Sequence, residues 1–399
     1  MADLVAVTRQ LERGDEPDLL EVAGATGQLF VRAGIGLAGR GEALRVPVSR
    51  ASEVLGAIKV DDDVGRPGCG PVAFGALPFD PRTEGTLVVP EQIVGCDADG
   101  TRWLTTIDTD ARPGPVVPAL EPDGAEPSTF DVRPTRPPAE WCDAVATATA
   151  RIRDGELDKV VLARELVVQA DAPISVGGLL RRLRSGYPEC FVYCSDGFVG
   201  ASPELLVGRR DDVVTAQPMA GTTARRGDPE VDAAAAAALF GSATYRHEHQ
   251  VTIDMVHDTL LRFSSYIDYE PEPSVVALAN VQHLATRVEG RLSHPPASVL
   301  ELVQALHPTP AVCGRPRERA LAVIAELEGF DRGPYGGAVG WVDAAGNGTW
   351  AVAIRCARID GATAHVYAGN GIVGDSDPAT ELAETRAKFQ AMLTALVRP

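Results

Sequence analysis

The chain lacks any apolar run long enough to cross a bilayer, and its N-terminal stretch MADLVAVTRQLERGDE lacks the basic-then-apolar pattern of a secretion signal. A cytoplasmic protein is the expectation. Positive charge is in deficit: 37 Lys and Arg stand against 55 Asp and Glu, a formal net charge of −18. That balance argues against nucleic acid or an anionic membrane as partner. It also requires a local cationic pocket or a metal ion if the substrate is an anion. The 7 cysteines are odd in number and have no metal-type spacing, so they read as reduced, mostly buried thiols. No fixed short period recurs, which excludes a solenoid. A Gly-x-Ser-x-Gly elbow and a Walker loop are both missing. The dinucleotide pattern Gly369-x-Gly371-x-x-Gly374 is followed by too little chain for a second strand with a ribose-binding acid. A second match, Gly34-x-Gly36-x-x-Gly39, runs into Arg40-Gly41 rather than a helix.

What is present is a globular composition, 45% hydrophobic and 23% charged over 399 residues. Up to about Asp110 short strand-like runs alternate with Gly, Pro and Asp turns. LEVAGATGQLFVRAGIGLAG reads as a hairpin, and GPVAFGALPFDPRTEGTLVVPEQIVG as two or three strands. The Pro-rich run ARPGPVVPALEPDGAEPSTFDVRPTRPPAEW has neither helical nor strand period and reads as a connection. From Ala139 an amphipathic helix stops at Gly155 and leads into the strand-like KVVLARELVVQA. A helix at VGGLLRRLRSG follows, then two strands in ECFVYCSDGFVGASPELLVGRRDDVVTAQPMA and a turn at Gly221-Thr222. YRHEHQVTIDMVHDTLLRF reads as a helix, with strands in NVQHLATRVEGRL and GGAVGWVDAAGNGTWAVAIRCARI beyond it.

The stretch from His365 to Leu393 reads as a strand, a glycine turn at Gly369, Gly371 and Gly374, and a helix opened by Asp377-Pro378. Glu381, Glu384 and Lys388 fall on one face of that helix. Such a face is ordinarily solvated. Beside a glycine turn and a helix N-terminus, however, two carboxylates fit a hard cation bound next to an anion. Lys159 opens an apolar strand, where a lysine is usually a solvated edge residue. Glu204 follows Ser202-Pro203 between apolar runs, an unusual place for an acid unless it is a turn residue. Glu248 lies mid-helix between two histidines that point to different sides, so zinc is disfavoured and an all-oxygen set with Glu384 and Glu381 suits Mg²⁺. Arg355 interrupts an apolar strand and, if inward, needs an anion. Tyr335 could present a hydroxyl beside it.

Together these residues resemble the chorismate-utilising enzymes, and within them the isochorismate synthases. The similarity runs from about Glu140 to Val397. It is carried by DKVVLAR, GASPELL, PMAGTTARR, HEH with its apolar helix, VQHLATRVEG, HPTPAVCG, the block from Tyr335 to Arg355, and AGNGIV…ELAETRAKF. That ordered series is specific for the family. Residues 1–138 match only in their β-rich character. The resemblance implies one large α+β domain over residues 1–399, with two stacked, mainly antiparallel sheets and helices outside. Residues 1–138 would form a β-rich half and residues 139–399 the catalytic half.

The resemblance further implies that Glu248 and Glu384 hold Mg²⁺, with Glu381 near it through water. The ion would bind the ring carboxylate of chorismate, helped by Gly221 and Thr222. Tyr335, Arg355 and the backbone of Gly369 and Gly371 would take the enolpyruvyl carboxylate, and Lys388 would support the carboxylate–metal cluster. Lys159 would be the general base for water attacking ring C2, lowered by burial and cationic neighbours. Glu204 would be the general acid at the C4 hydroxyl, raised by desolvation and negative neighbours. His283 would line the ring pocket, and the pair Ala311-Val312 in HPTPAVCG is similar to isochorismate synthases, which supply menaquinone or siderophore synthesis. Ala220 stands where the similar aminodeoxychorismate synthases carry a lysine, and Lys159 stands where anthranilate synthases typically lack one, so no glutaminase subunit is implied. Tyr245 departs from relatives that have an acid there. The alternatives are a salicylate synthase releasing pyruvate, an anthranilate or aminodeoxychorismate synthase component, or a non-catalytic chorismate-binding protein.

Overall fold

The computed structural model describes residues 3–12, 17–109, 126–279 and 281–397. The first half of the expected Pro-rich connection, through residue 125, falls outside them. Its described end, Phe130–Pro134, is a strand paired antiparallel to the long strand Lys159–Ala170. Among the described residues the strands form sheets of 13, 9 and 3 members. Pairing among them is antiparallel except where Val5–Gln10 meets Lys59–Asp62.

Period-two alternation sorts the apolar side chains into layers. Phe30, Trp103, Tyr193 and Phe198 of the largest sheet meet Phe74, Trp341 and Trp350 of the second in one buried cluster. The residues between them, Leu29, Val31, Val192 and Cys194, point the other way. There they pack on Leu179, Leu180 and Leu183 of the helix Val176–Gly186 and on Phe389 and Met392 of the C-terminal helix Pro378–Val397. Strands buried on both faces read as near-continuous hydrophobic runs, which is why the sequence shows them so plainly. Early and late parts of the chain share both sheets. Gln28–Arg32 pairs with Phe191–Ser195, and Val72–Leu77 with Ala338–Asp343. The result is an α+β fold of stacked, mainly antiparallel sheets with helices outside.

Several local expectations are corrected. The run expected to hold two strands holds Phe191–Ser195, Phe198–Ser202, Leu205–Arg210 and Val213–Gln217. Tight turns at Asp196 and Asp211, both in left-handed backbone, divide it. The start of the first expected hairpin, from Leu20, falls in a short helix, Leu19–Ala23, capped by the Asp18 side chain. Gly221-Thr222 is not a turn. It lies inside the strand Met219–Ala224, where the register slips between Ala220 and Thr222 and Gly221 takes φ +74°. Gly369 and Gly371 likewise belong to the strand Thr363–Ile372 and not to the glycine turn.

Candidate active site

Two crossings between the large sheets build the centre. The chain leaves the largest sheet after Ser202 and enters the second at Leu205; it leaves the second after Val352 and returns to the first at Cys356. Glu204 sits on the first crossing and Arg355 on the second, which corrects the expectation that Arg355 lies within a strand. The crossings are tied together: Val352 N donates to Glu204 O at 3.0 Å, and Ala201 N donates to Arg355 O at 3.1 Å. Arg355 pays for its place with a left-handed backbone, φ 54°. Unlike Asp196 and Asp211, Arg355 takes this backbone outside a hairpin turn, so the bonded crossings must hold it there.

Crossing between layers carries Glu204 inside, where it is 4% exposed. Burial pushes its carboxyl up to about 7, against the lowering effects of the Met219 N–H and the Arg355 and Lys159 cations. The expected negative neighbours are therefore replaced by positive ones, and desolvation alone lifts the group. The Arg355 charge also acts on His283, Tyr335 and Lys388. Its guanidinium has no hydrogen-bond acceptor among the described residues, which leaves it open to an anion.

Lys159 begins its strand and ends in an ion pair, Nζ to Glu248 Oε1 at 2.5 Å. Its side chain is 13% exposed, so it lines the site rather than lying in the deep interior, and its nearest charge is a carboxylate instead of the expected cation. Glu248 comes from the helix Ala243–Leu261, whose Ser242 cap accepts from Tyr245 N. The two strand glycines make room for this pair and for Tyr335. A Cβ on Gly371 would lie 2.5 Å from Lys159 Cε, and one on Gly369 would lie 3.0 Å from Tyr335 Oη. Close approach, not turn geometry, is what these glycines supply.

Asp377 caps the C-terminal helix through Thr380 N at 2.9 Å, as the Asp-Pro signal implies. On it Glu384 and Lys388 pair at 2.7 Å. Lys388 also donates to Asn370 Oδ1 at 2.5 Å and Gly369 O at 3.1 Å. Glu381 accepts from Asn370 Nδ2 at 2.9 Å and from the Ser376 hydroxyl at 2.7 Å. Burial first, then the Glu384 charge, raises the Glu381 carboxyl, while burial lowers the Lys388 ammonium. Burial together with the Arg355 and Lys388 cations pushes His283 down to about 3, so its ring is neutral near pH 7. Its Nδ1 shares a 3.1 Å hydrogen bond with the Thr222 hydroxyl, and its buried Nε2 has no partner.

Glu248, Glu381 and Glu384 all act on the Tyr245 phenol, which burial and their charges push up. Each carboxylate is nevertheless turned to a neighbour, and among the described residues no three His, Cys, Asp or Glu side chains are gathered for a metal. The chemistry of the donors, oxygen only and crowded with like charge, fits a hard divalent cation. Ala311 stands apart: no described hydrogen bond or charge contact joins it to the other candidates.

Sequence reasoning missed Asn370, which bridges Glu381 and Lys388 and is 2% exposed. A polar residue between two glycines of an apolar strand was its available signal. It also missed the buried pair Glu328 and Arg332 behind Tyr335.

Stacked sheets place a buried acid, Glu204, and an arginine without an acceptor among the described residues, Arg355, at their two crossings. The family model for chorismate binding enzymes matches residues 118–397, and the chain belongs to that family. It is 38% identical to isochorismate synthase DhbC of Bacillus subtilis over 82% of this chain and 81% of that protein. It is 41% identical to the putative isochorismate synthase MenF of Mycobacterium tuberculosis, over 83% and 88% respectively. A crystal structure of the putative 2,3-dihydroxybenzoate-specific isochorismate synthase DhbC from Bacillus anthracis matches with a TM-score of 0.81 at 35% identity, over 95% of this chain and 98% of that one.

Proposed function

We propose that this protein is an isochorismate synthase, isomerising chorismate by adding water at ring C2 and releasing the C4 hydroxyl. The observation that carries the reading is Glu204, a buried carboxyl raised to about 7 within electrostatic reach of the Lys159 amine. An acid protonated near neutral pH opposite an amine is the pair a hydroxyl exchange needs. The relatives described above support the same reaction.

Arg355, Tyr335 and the backbone of Gly369 and Gly371 hold the enolpyruvyl carboxylate. Gly221 and Thr222 face the ring carboxylate, and neutral His283 lines the ring. Glu248 and Glu384, with Glu381 through water, are the residues that would hold Mg²⁺, and the bound ion supplies positive charge against the ring carboxylate. Lys159 acts as base, so its ion pair with Glu248 is released and its ammonium proton passes to solvent before water attacks. It takes a proton from water as the oxygen bonds to C2. The C1–C2 double bond moves to C1–C6 and the C5–C6 double bond to C4–C5. The C4–O bond breaks, and Glu204 delivers its proton so that the oxygen departs as water. One water enters and one leaves, so the product is an isomer.

The test is chorismate incubated with purified protein and Mg²⁺, products separated by chromatography, beside a Lys159→Ala control. Isochorismate alone, lost in the control and lost on chelation until Mg²⁺ is restored, is the expected result. Salicylate with pyruvate would identify the lyase alternative, and unconsumed chorismate would leave a binding protein.

A further inference from the structure

The strand that begins with Lys159 has an interrupted edge. Gly314–Arg315 covers Lys159 and Val160, and Phe130–Pro134 covers Leu166 to Ala170. On that edge, no strand among the described residues covers the stretch between. Buried backbone groups there must find other partners. Val161 N donates to Cys313 O at 2.8 Å, and Ala163 O accepts from Trp141 Nε1 at 3.1 Å. Glu165 O accepts from Thr135 N at 3.2 Å, and the other groups of Val161 and Ala163 are also met by side chains: Ala163 N donates to Glu328 Oε1 at 2.7 Å, and Val161 O accepts from Arg332 Nη2 at 2.8 Å.

Glu328 and Arg332 also grip each other, Nε to Oε2 at 2.7 Å and Nη2 to Oε1, with side chains 2% and 3% exposed. Arg332 Nη1 donates to Val312 O at 2.9 Å, and its guanidinium lies 4.1 Å over the Phe79 ring and 5.7 Å from the Tyr335 ring. A buried ion pair is a poor source of stability, since apolar side chains of similar shape do as well. Its value here is geometric. The pair fastens the lysine strand, the turn at Val312 and the loop carrying Tyr335 to one another. Across the sheet, Val161 faces Gly371 and Ala163 faces Gly369, the two glycines of the carboxylate pocket.

We propose that Glu328 and Arg332 are positioning residues: the pair stands in for the missing strand and sets the register of Lys159, Tyr335 and the Gly369–Gly371 backbone around the substrate. This deepens the isochorismate synthase reading and rests on it for which groups must align. Errors of about 1 Å in such alignment cost on the order of a hundredfold in rate.

Two variants test it. Arg332→Lys keeps the charge opposite Glu328 but cannot reach both carbonyls as a fork. The double variant Glu328→Gln/Arg332→Met removes both charges and leaves an acceptor for Ala163 N. On folded protein, isolated as a single species with a cooperative melt, kcat should fall ten- to a hundredfold in Arg332→Lys, with KM for chorismate changing less. The double variant should fall similarly, and Glu328→Gln/Arg332→Lys should not recover. A purely structural pair would lower the melting temperature and leave kcat per folded molecule at the wild-type value, which overturns the proposal in either variant. If the wild-type protein does not convert chorismate, the functional reading fails separately. Chorismate affinity by calorimetry then decides, with about tenfold weakening in Arg332→Lys expected and an unchanged Kd contradicting the positioning role.

Discussion

Burial at a crossing between two sheets raises the Glu204 carboxyl to about 7, and the cations nearby only partly offset that. Glu204→Gln should lower kcat by roughly 10²–10⁴-fold, the usual contribution of a positioned acid. Because the folded-state value is raised, the associated stability is present below the ordinary carboxyl range and lost as pH rises through about 7. A rise of this size corresponds to roughly 3 kcal/mol. Denaturant melts of wild type should weaken between pH 4.5 and 8, and those of Glu204→Gln should change less. Arg355 carries a different cost. Left-handed backbone at a non-glycine residue costs about 1–2 kcal/mol, so Arg355→Gly should melt higher while KM for chorismate rises at least about tenfold, the scale of a lost charge-assisted pair. A lower melting temperature would count against strain at this position. Some of this was legible in the residues themselves: an acid between apolar runs, an arginine breaking one. The chain also has only three lysines, and two of them, Lys159 and Lys388, are in the site.

Among elements, the longer helices with clear caps were readable because caps and periods are local, whereas Leu19–Ala23, Val299–Leu306 and Arg317–Leu327 were not read as helices. Asp377-Pro378 opens the C-terminal helix, and the helix Val176–Gly186 has the bounds its apolar spacing implies. The glycine-rich segment misled. Gly369 and Gly371 look like turn residues, yet they sit in a strand where side chains from other elements crowd against them. Gly371→Ala tests this directly. The atoms its Cβ would meet belong to the flexible end of Lys159, so the protein should fold with a melting temperature near wild type. Activity should fall at least about tenfold as the amine is pushed out of line. Unchanged turnover would show that Lys159 has room to spare.

For the whole molecule, the pairing of early with late strands makes the β-rich beginning part of the same core as the site. Phe30 and Phe74 pack in one cluster with Tyr193 and Trp350. A fragment of residues 139–399 would expose that face and leave the edges of both sheets unpaired, so it should show no cooperative thermal transition by circular dichroism. A fragment that melts cooperatively and turns over chorismate would show that the early strands are dispensable.

By itself the sequence determined the elements and the chemistry on offer: apolar period, caps, an oxygen-only acidic set, and cations few enough to stand out. These follow from interactions within a few residues. Only the tertiary structure decided which groups face one another. Glu204 comes within reach of the Arg355 charge because two crossings are bonded together, Lys159 meets Glu248 because a strand and a distant helix converge, and Arg332 reaches the lysine strand where, among the described residues, no strand covers its edge. Contacts of that range depend on sheet register and layer stacking, which local spacing does not encode.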